Sequence, residues 1–189
     1  MKIFVINGYP QSGKDTFCKF AEENYPRVYT YSTIAKIKEL ALLIGWDGQK
    51  DEKGRKLLAD LKKTLSKYND VSYKETMSFI REKMEECADK YGEDANDAIF
   101  FIHCREPKDI KRFCRSYGAQ SIFINRPGCD KQWSNSADNK VKEWTYNHYI
   151  DNNGSLEDLK RVACDFIESV RKENWNSYMR DQSSHEGFY

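Results

Sequence analysis

The chain has no long apolar run. Nowhere in its 189 residues do apolar side chains approach the ~18 in succession that a membrane helix needs, so a helical membrane protein is not expected. It has no excess of either charge. Lys and Arg number 31 against 30 Asp and Glu, a net +1, so a broad basic coat for nucleic acid is not expected, although a local basic cleft is allowed. It has no Cys-x-x-Cys pair. Cys18, Cys87, Cys104, Cys114, Cys129 and Cys164 stand apart, and a chain of this length can build a core without disulfide staples. Its three histidines, His103, His148 and His185, are not at zinc-ligand spacing. The cysteines therefore read as buried or inert thiols of a reducing compartment. The apolar start of the chain meets Asn7-Gly8 before a signal-peptide core can form, and a cytoplasmic location is expected. No internal repeat or low-complexity segment is present, and the length suits one domain.

What is present alternates between two periods. Residues 2–6 form a short apolar run ending at a glycine, as in a buried strand. Residues 14–25 place Phe17, Phe20 and Ala21 on one helical face, and residues 27–31 are rich in β-formers. Ser32 or Thr33 then caps a helix carrying Ile34, Ile37, Ala41 and Ile44, stopped by Gly45. After a polar loop, 45–51, come two helices. The first carries Leu57, Leu58, Leu61, Leu65 and Tyr68; the second opens at Ser72 with Glu75 as a capping box. Residues 98–103 are apolar without interruption, which suits a strand covered on both faces. Pro107 starts the next helix and Gly118 ends it. Residues 121–124 predict a strand, 126–139 a short lid-like loop, and 146–150 the last strand. Ser155 with Asp158 caps a helix whose apolar face includes Leu159, Ala163, Phe166, Ile167 and Val170. The polar tail, 174–189, lacks a period and is expected to be irregular. Strands alternating with helices predict an α/β fold around a mainly parallel, five-stranded sheet. Ligands of such sheets bind beyond the carboxyl ends of the strands.

One such strand end carries a specific signal. Gly8-Tyr9-Pro10-Gln11-Ser12-Gly13-Lys14 has the form G-x-x-x-x-G-K, directly after a strand and opening a helix. By chance alone this pattern arises in about one chain of this composition in twenty, and the strand–helix context narrows it further. The glycines let successive N–H groups of residues such as Gln11, Ser12 and Gly13 curl around phosphate oxygens, and the helix N-terminus adds its dipole. Lys14 supplies a point charge for the β- and γ-phosphates and is expected to face solvent when no ligand is bound. The residue after it is Asp15, with Thr16 following; these two are the candidate contacts to Mg²⁺.

Ser12-Gly13-Lys14-Asp15-Thr16 resembles small-molecule kinases of the P-loop class, in particular phage and bacterial deoxynucleoside monophosphate kinases. Dephospho-coenzyme A kinases and P-loop phosphomevalonate kinases resemble it more distantly. The resemblance continues at Ser32 to Glu39, where Lys38 matches a basic residue near the acceptor. It continues at His103-Cys104-Arg105-Glu106-Pro107, where Arg105 and Pro107 match but His103 stands in place of an acidic residue. Asn125-Arg126-Pro127 and Ile150 to Leu156 also resemble these kinases.

The resemblance implies a three-layer P-loop NTPase fold that uses ATP as phosphoryl donor, Mg²⁺ as cofactor and a small phosphorylated acceptor, foremost a (deoxy)nucleoside monophosphate. Lys14, Arg105 and Arg126 are the expected catalytic groups, and residues Gly8 and Gln11 through Thr16 the ATP-phosphate site. Ser32, Lys38, Trp46, Arg55 and Arg105 form the expected acceptor site within a helical region, 33–92, with 126–139 as lid. A kinase for another small metabolite and a nucleotide-binding regulatory protein without transfer activity are the alternatives. No nucleic acid or membrane partner is expected, and a homodimer is one option for the assembly.

Overall fold

In the computed structural model the described residues are 1–129 and 140–183, with side chains described to residue 173 except Glu93, Lys140 and Lys142. Five strands form one parallel sheet: β1 (Lys2–Asn7), β2 (Val28–Ser32), β3 (Ile99–His103), β4 (Gln120–Asn125) and β5 (His148–Asp151), in the order β2-β3-β1-β4-β5. Among the described residues six α-helices accompany them: α1 (Lys14–Asn24), α2 (Ala35–Leu43), α3 (Glu52–Asn69), α4 (Val71–Tyr91), α5 (Pro107–Tyr117) and α6 (Leu156–Ser183).

The uninterrupted apolar strands serve two cores, because successive side chains leave opposite faces of the sheet. Val5, Phe100, Ile102 and Phe123 face α4 and α5, with Ile80, Ile110 and Phe113. Phe4, Ile6, Phe101, Ile122 and Ile124 face α1 and α6, with Phe17, Ala21, Leu159, Ala163 and Ile167. The sheet is thereby sandwiched, and its carboxyl edge is left for ligands. No described helix is long and apolar enough to cross a membrane.

Helices α2 to α4 lie between β2 and β3 in sequence and carry a third, smaller core of Ile37, Ala41 and Leu58, with Trp46 and Leu61 against it. Two contacts tie this insert to α5. Lys62 reaches Asp109 at 3.1 Å, and Arg112 pairs with Asp70 while lying 3.3 Å over the Tyr73 ring.

Several expected caps differ. Thr33 does not cap α2; its hydroxyl donates to the His103 carbonyl, and α2 starts at Ala35. The Ser72–Glu75 box does not form. Asp70 takes a left-handed conformation (φ 60°) and turns α3 directly into α4, so Ser72 is already helical and buried. The Ser155–Asp158 box does form, with the Ser155 hydroxyl donating to Asp158 at 2.8 Å. Helix α6 runs on to Ser183, past the expected irregular start at Asn174. That stretch has no Gly or Pro, and extending an existing helix avoids the cost of nucleation. Most of the expected lid, residues 130–139, lies outside the described residues.

Candidate functional site

The phosphate loop between β1 and α1 is built by close backbone approach. Gly8 has φ 147°, and a Cβ there would lie 2.5 Å from the Ile124 carbonyl oxygen. Gly13, at φ 96°, sits as the N-cap of α1, and a Cβ there would lie 2.4 Å from Asn152 Nδ2. Only glycine meets both demands. The loop is held from both sides. Fully buried Asn7 accepts the Gly8 N–H at 2.8 Å and donates to the Tyr146 hydroxyl at 2.8 Å. From just past β5, Asn152 donates through Nδ2 to the Ser12 carbonyl at 3.0 Å. Ser12 Oγ is buried with no hydrogen-bond partner in the structure, an unmet polar group inside the cradle.

Lys14 does not face solvent as expected. It is 8% exposed, and its ammonium donates to the carbonyls of Gly8 and Tyr9 at 2.8 and 2.7 Å. These carbonyls compensate the buried charge of the ammonium.

The parallel register brings the neighbouring strand ends alongside. Ser32 and Ile6 are both in register with His103, and Asn125 with Asp151. On the β2–β3 side a group of cations gathers. Half-buried Lys38 is held below its usual pKa, first by burial and next by repulsion from Lys50, with Asp15 opposing and Arg105 adding to the effect. Lys14, Arg105 and Lys38 also act on His103. His103 is pushed down to about 4, chiefly by burial, against the pull of Asp15, so its ring is neutral at pH 7. Its Nδ1 lies 3.5 Å from Asp15 Oδ1 and its Nε2 3.5 Å from the Cys18 sulfur.

Of the residues expected at the site, Lys14, Asp15, Lys38 and Arg105 all act electrostatically on His103, and Asp15 and Arg105 also act on Lys38. Arg126 is exposed one residue beyond β4, and its carbonyl accepts the Cys129 N–H. Arg55 lies half-buried in the first turns of α3. Trp46 packs on the α2–α3 core and donates its N–H to the Gln49 carbonyl at 2.9 Å, against Gly54. Asn7, Lys50, Tyr146 and Asn152 are additions. Asn152 reads in sequence as a turn residue; its position just past the last strand was the available signal.

Mg²⁺ that travels with nucleotide phosphates takes few oxygens from protein. No cluster of three or more His, Cys, Asp or Glu side chains suited to a metal occurs among the described residues. The carboxylate of Asp15 is exposed in the first turn of α1 next to Lys14, with Thr16 half-buried beside it, and these fit a metal held mainly by phosphate. On the β4–β5 side, a cavity of about 340 Å³ opens beside the loop, lined by Tyr9, Phe123, Trp144, Tyr146, Tyr149 and Asp151 among others.

No protein-family model matches the chain, and no curated protein sequence matches it. Solved structures do resemble it. TT1252 from Thermus thermophilus is 17% identical over 89% of this chain and 97% of that one, with a TM-score of 0.51. Dephospho-CoA kinase from Campylobacter jejuni is 18% identical over 90% and 98%, at 0.47. Shikimate kinase from Aquifex aeolicus is 13% identical over 89% and 97%, at 0.42. Only the first is similar enough to bear on the fold. With the loop geometry and the parallel sheet, it bears on the fold alone: a three-layer α/β fold of the P-loop type.

Proposed function

We propose that the protein is a phosphotransferase that moves the γ-phosphoryl group of ATP to a small phosphorylated acceptor, with a (deoxy)nucleoside monophosphate as the leading candidate. The observation that carries this is the pairing of two anion-seeking surfaces on one sheet edge. The phosphate loop with Lys14 is one, and the Lys38, Lys50 and Arg105 group beside His103 is the other.

The donor's phosphates occupy the loop, where first-turn N–H groups of α1 and the Lys14 ammonium neutralise them. The acceptor's phosphate rests among Lys38, Lys50 and Arg105, with Ser32 at the neighbouring strand end and Arg55 of α3 as further proposed contacts. A phosphate oxygen of the acceptor attacks the γ-phosphorus in line, the bond to the β-bridging oxygen breaks, and ADP leaves. Asp15 and Thr16 would hold Mg²⁺, which would supply neutralising charge to the donor's phosphates. Arg126, exposed just past β4, is the proposed contact to the transferring group. His103 is engaged at both ring nitrogens and offers no free base for a hydroxyl acceptor. That favours an acceptor already ionised, for which alignment and charge suffice.

A coupled ADP-release assay against ribo- and deoxynucleoside monophosphates and other phosphorylated metabolites tests the reading. ADP release that needs one phosphorylated acceptor is the expected result. ATP binding without acceptor-dependent turnover across the panel would favour the regulatory alternative.

A further inference from the structure

The cavity beside β4 and β5 is not used by the transfer chemistry above, and its rim has a definite hydrogen-bonding pattern. Side chains alternate across a strand, so Phe123 and Asn125 of β4 share one face, as do Tyr149 and Asp151 of β5. The register sets Phe123 beside Tyr149 and Asn125 beside Asp151. This face therefore carries an aromatic rung and, about 6.6 Å further toward the carboxyl edge, a polar one. The Phe123 ring centroid lies 5.1 Å from that of Tyr146 and 6.0 Å from that of Tyr149, and Tyr149 is 61% exposed. The polar ends of the rings are turned to the protein. The Tyr146 hydroxyl donates to the Val141 carbonyl, the Tyr149 hydroxyl accepts the Tyr146 N–H, and the Trp144 ring N–H donates to Ser121 Oγ. Ring surface is what they offer a ligand. The volume of about 340 Å³ is at the low end for small-molecule sites and suits one ring system.

The polar rung belongs to the same cavity. Asn125 Nδ2 donates to Asp151 Oδ1 at 2.9 Å. A carboxylate only accepts, so this contact fixes which way the amide points. Asp151 keeps a second lone pair on Oδ1 and the whole of Oδ2, enough to receive two further donors side by side. A planar ligand lying on the rings must therefore bring two adjacent N–H donors to its edge. Guanine does so with N1–H and its 2-amino group. Adenine and cytosine set an accepting nitrogen beside their amine, and uracil and thymine flank one N–H with two carbonyls. Each of these would turn a lone pair toward the carboxylate. We propose that this cavity is a recognition site for a guanine base, read by Asp151, across the phosphate loop from the cation group. Binding of the base does not depend on the phosphotransfer reading; that the base belongs to a reacting nucleotide rests on it.

Guanosine, which carries no phosphate, is the first probe, titrated into the full chain by calorimetry and by tryptophan fluorescence. It should bind and change the emission of Trp144, a change absent in Trp144→Phe. Inosine, which lacks the 2-amino group, and adenosine should bind about 10- to 100-fold more weakly, the range for one bidentate base contact. No binding of guanosine, or equal affinity for all three, overturns the proposal without recourse to any variant. In Asp151→Asn the oxygen that receives the Asn125 amide is kept and an amide N–H₂ replaces the other. Guanosine should weaken by the same factor while adenosine, whose N1 accepts, should tighten, an exchange that mere damage to the cavity cannot produce. Equal losses for both nucleosides in a folded variant would overturn the role of Asp151; the panel on the parent chain decides if the variant does not fold. Turnover then identifies the source of the base, with GTP set against ATP as donor and GMP against AMP as acceptor. A guanine preference in the first comparison places the donor's base in the cavity, and in the second the acceptor's. An active enzyme with neither preference overturns the proposal and leaves the kinase reading standing. Selective guanosine binding by a chain that turns over no acceptor defeats the kinase reading and leaves the site.

Discussion

Lys14→Ala tests the loop and its charge together. The ammonium is buried on the carbonyls of Gly8 and Tyr9, so its removal reaches the fold as well as the chemistry. Two hydrogen bonds from a charged donor are each worth about 1.5–3 kcal/mol, and the buried stem adds about 0.8 kcal/mol per methylene. Against this stands the several kcal/mol, roughly, that it costs to keep an ammonium out of water, which the alanine variant no longer pays. The difference should leave Lys14→Ala less stable by about 1–3 kcal/mol, within the ordinary range for a point change. For a domain of this length that is a fall in Tm of about 2–10 °C, read by urea and thermal unfolding of the ligand-free protein. Lys14→Met keeps the apolar stem and isolates the ammonium. Acceptor-dependent ADP release should fall about 10²–10³-fold in both variants, as for other losses of a preorganised charge-stabilising group. If Lys14→Ala is as stable as the parent, the ammonium is not anchored on the loop in solution. If it turns over ATP at the parent rate, the loop is not where transfer occurs.

Gly13→Ala places a Cβ 2.4 Å from Asn152 Nδ2 on a residue at φ 96°, so it should break the Asn152–Ser12 bond, cost about 2–4 kcal/mol in urea unfolding and abolish nucleotide binding. His103, held near pKa 4 against an ordinary 6.5, stays neutral in the fold while the unfolded chain takes a proton; stability at this site is therefore intact above pH 6.5 and is lost as pH falls toward 4. Urea unfolding should show His103→Asn losing about 2–3 kcal/mol less than the parent over that interval. Arg105→Lys and Arg55→Lys should each weaken the acceptor by about 1.5–3 kcal/mol in KM while ATP affinity without acceptor shifts far less, because lysine cannot reproduce a bidentate phosphate contact. An unfolded Arg105→Lys protein with no specific acceptor defect would make Arg105 a structural residue.

The parts of this fold that were legible in sequence are those where one local rule decides. Uninterrupted apolar runs marked β1, β3 and β4 because both faces of the sheet are covered. Gly8 and Gly13 marked the loop because no other residue meets its backbone angles and close contacts. Caps were legible only where nothing competed for them. Ser155 kept its local box, but the Thr33 hydroxyl was drawn to the His103 carbonyl across the sheet edge, and the Asp70 turn preempted Ser72. The buried Lys14 was misjudged for a related reason. A lone lysine after a glycine reads as solvated until the loop's own carbonyls are known to lie within 3 Å of it.

The charged group beside His103 was less legible because its members come from four separate elements and are brought together only through topology. Lys38 lies on α2, Lys50 in the loop before α3, Arg105 after β3 and Asp15 on α1, and no sequence window contains them all. What joins them is the strand order. Placing β3 directly beside β1, with β2 outside it, sets His103 and Arg105 next to the phosphate loop and Ser32 one strand further out. The same order puts β4 and β5 on the far side of the loop, where the cavity lined by Phe123, Tyr146 and Tyr149 opens. The loop is thus flanked by cations on one side and aromatic rings on the other. That asymmetry gives the edge a direction, with positive charge toward β3 and aromatic cover toward β5. Exchanging β3 and β4 in the order would leave every local motif intact and reverse that direction.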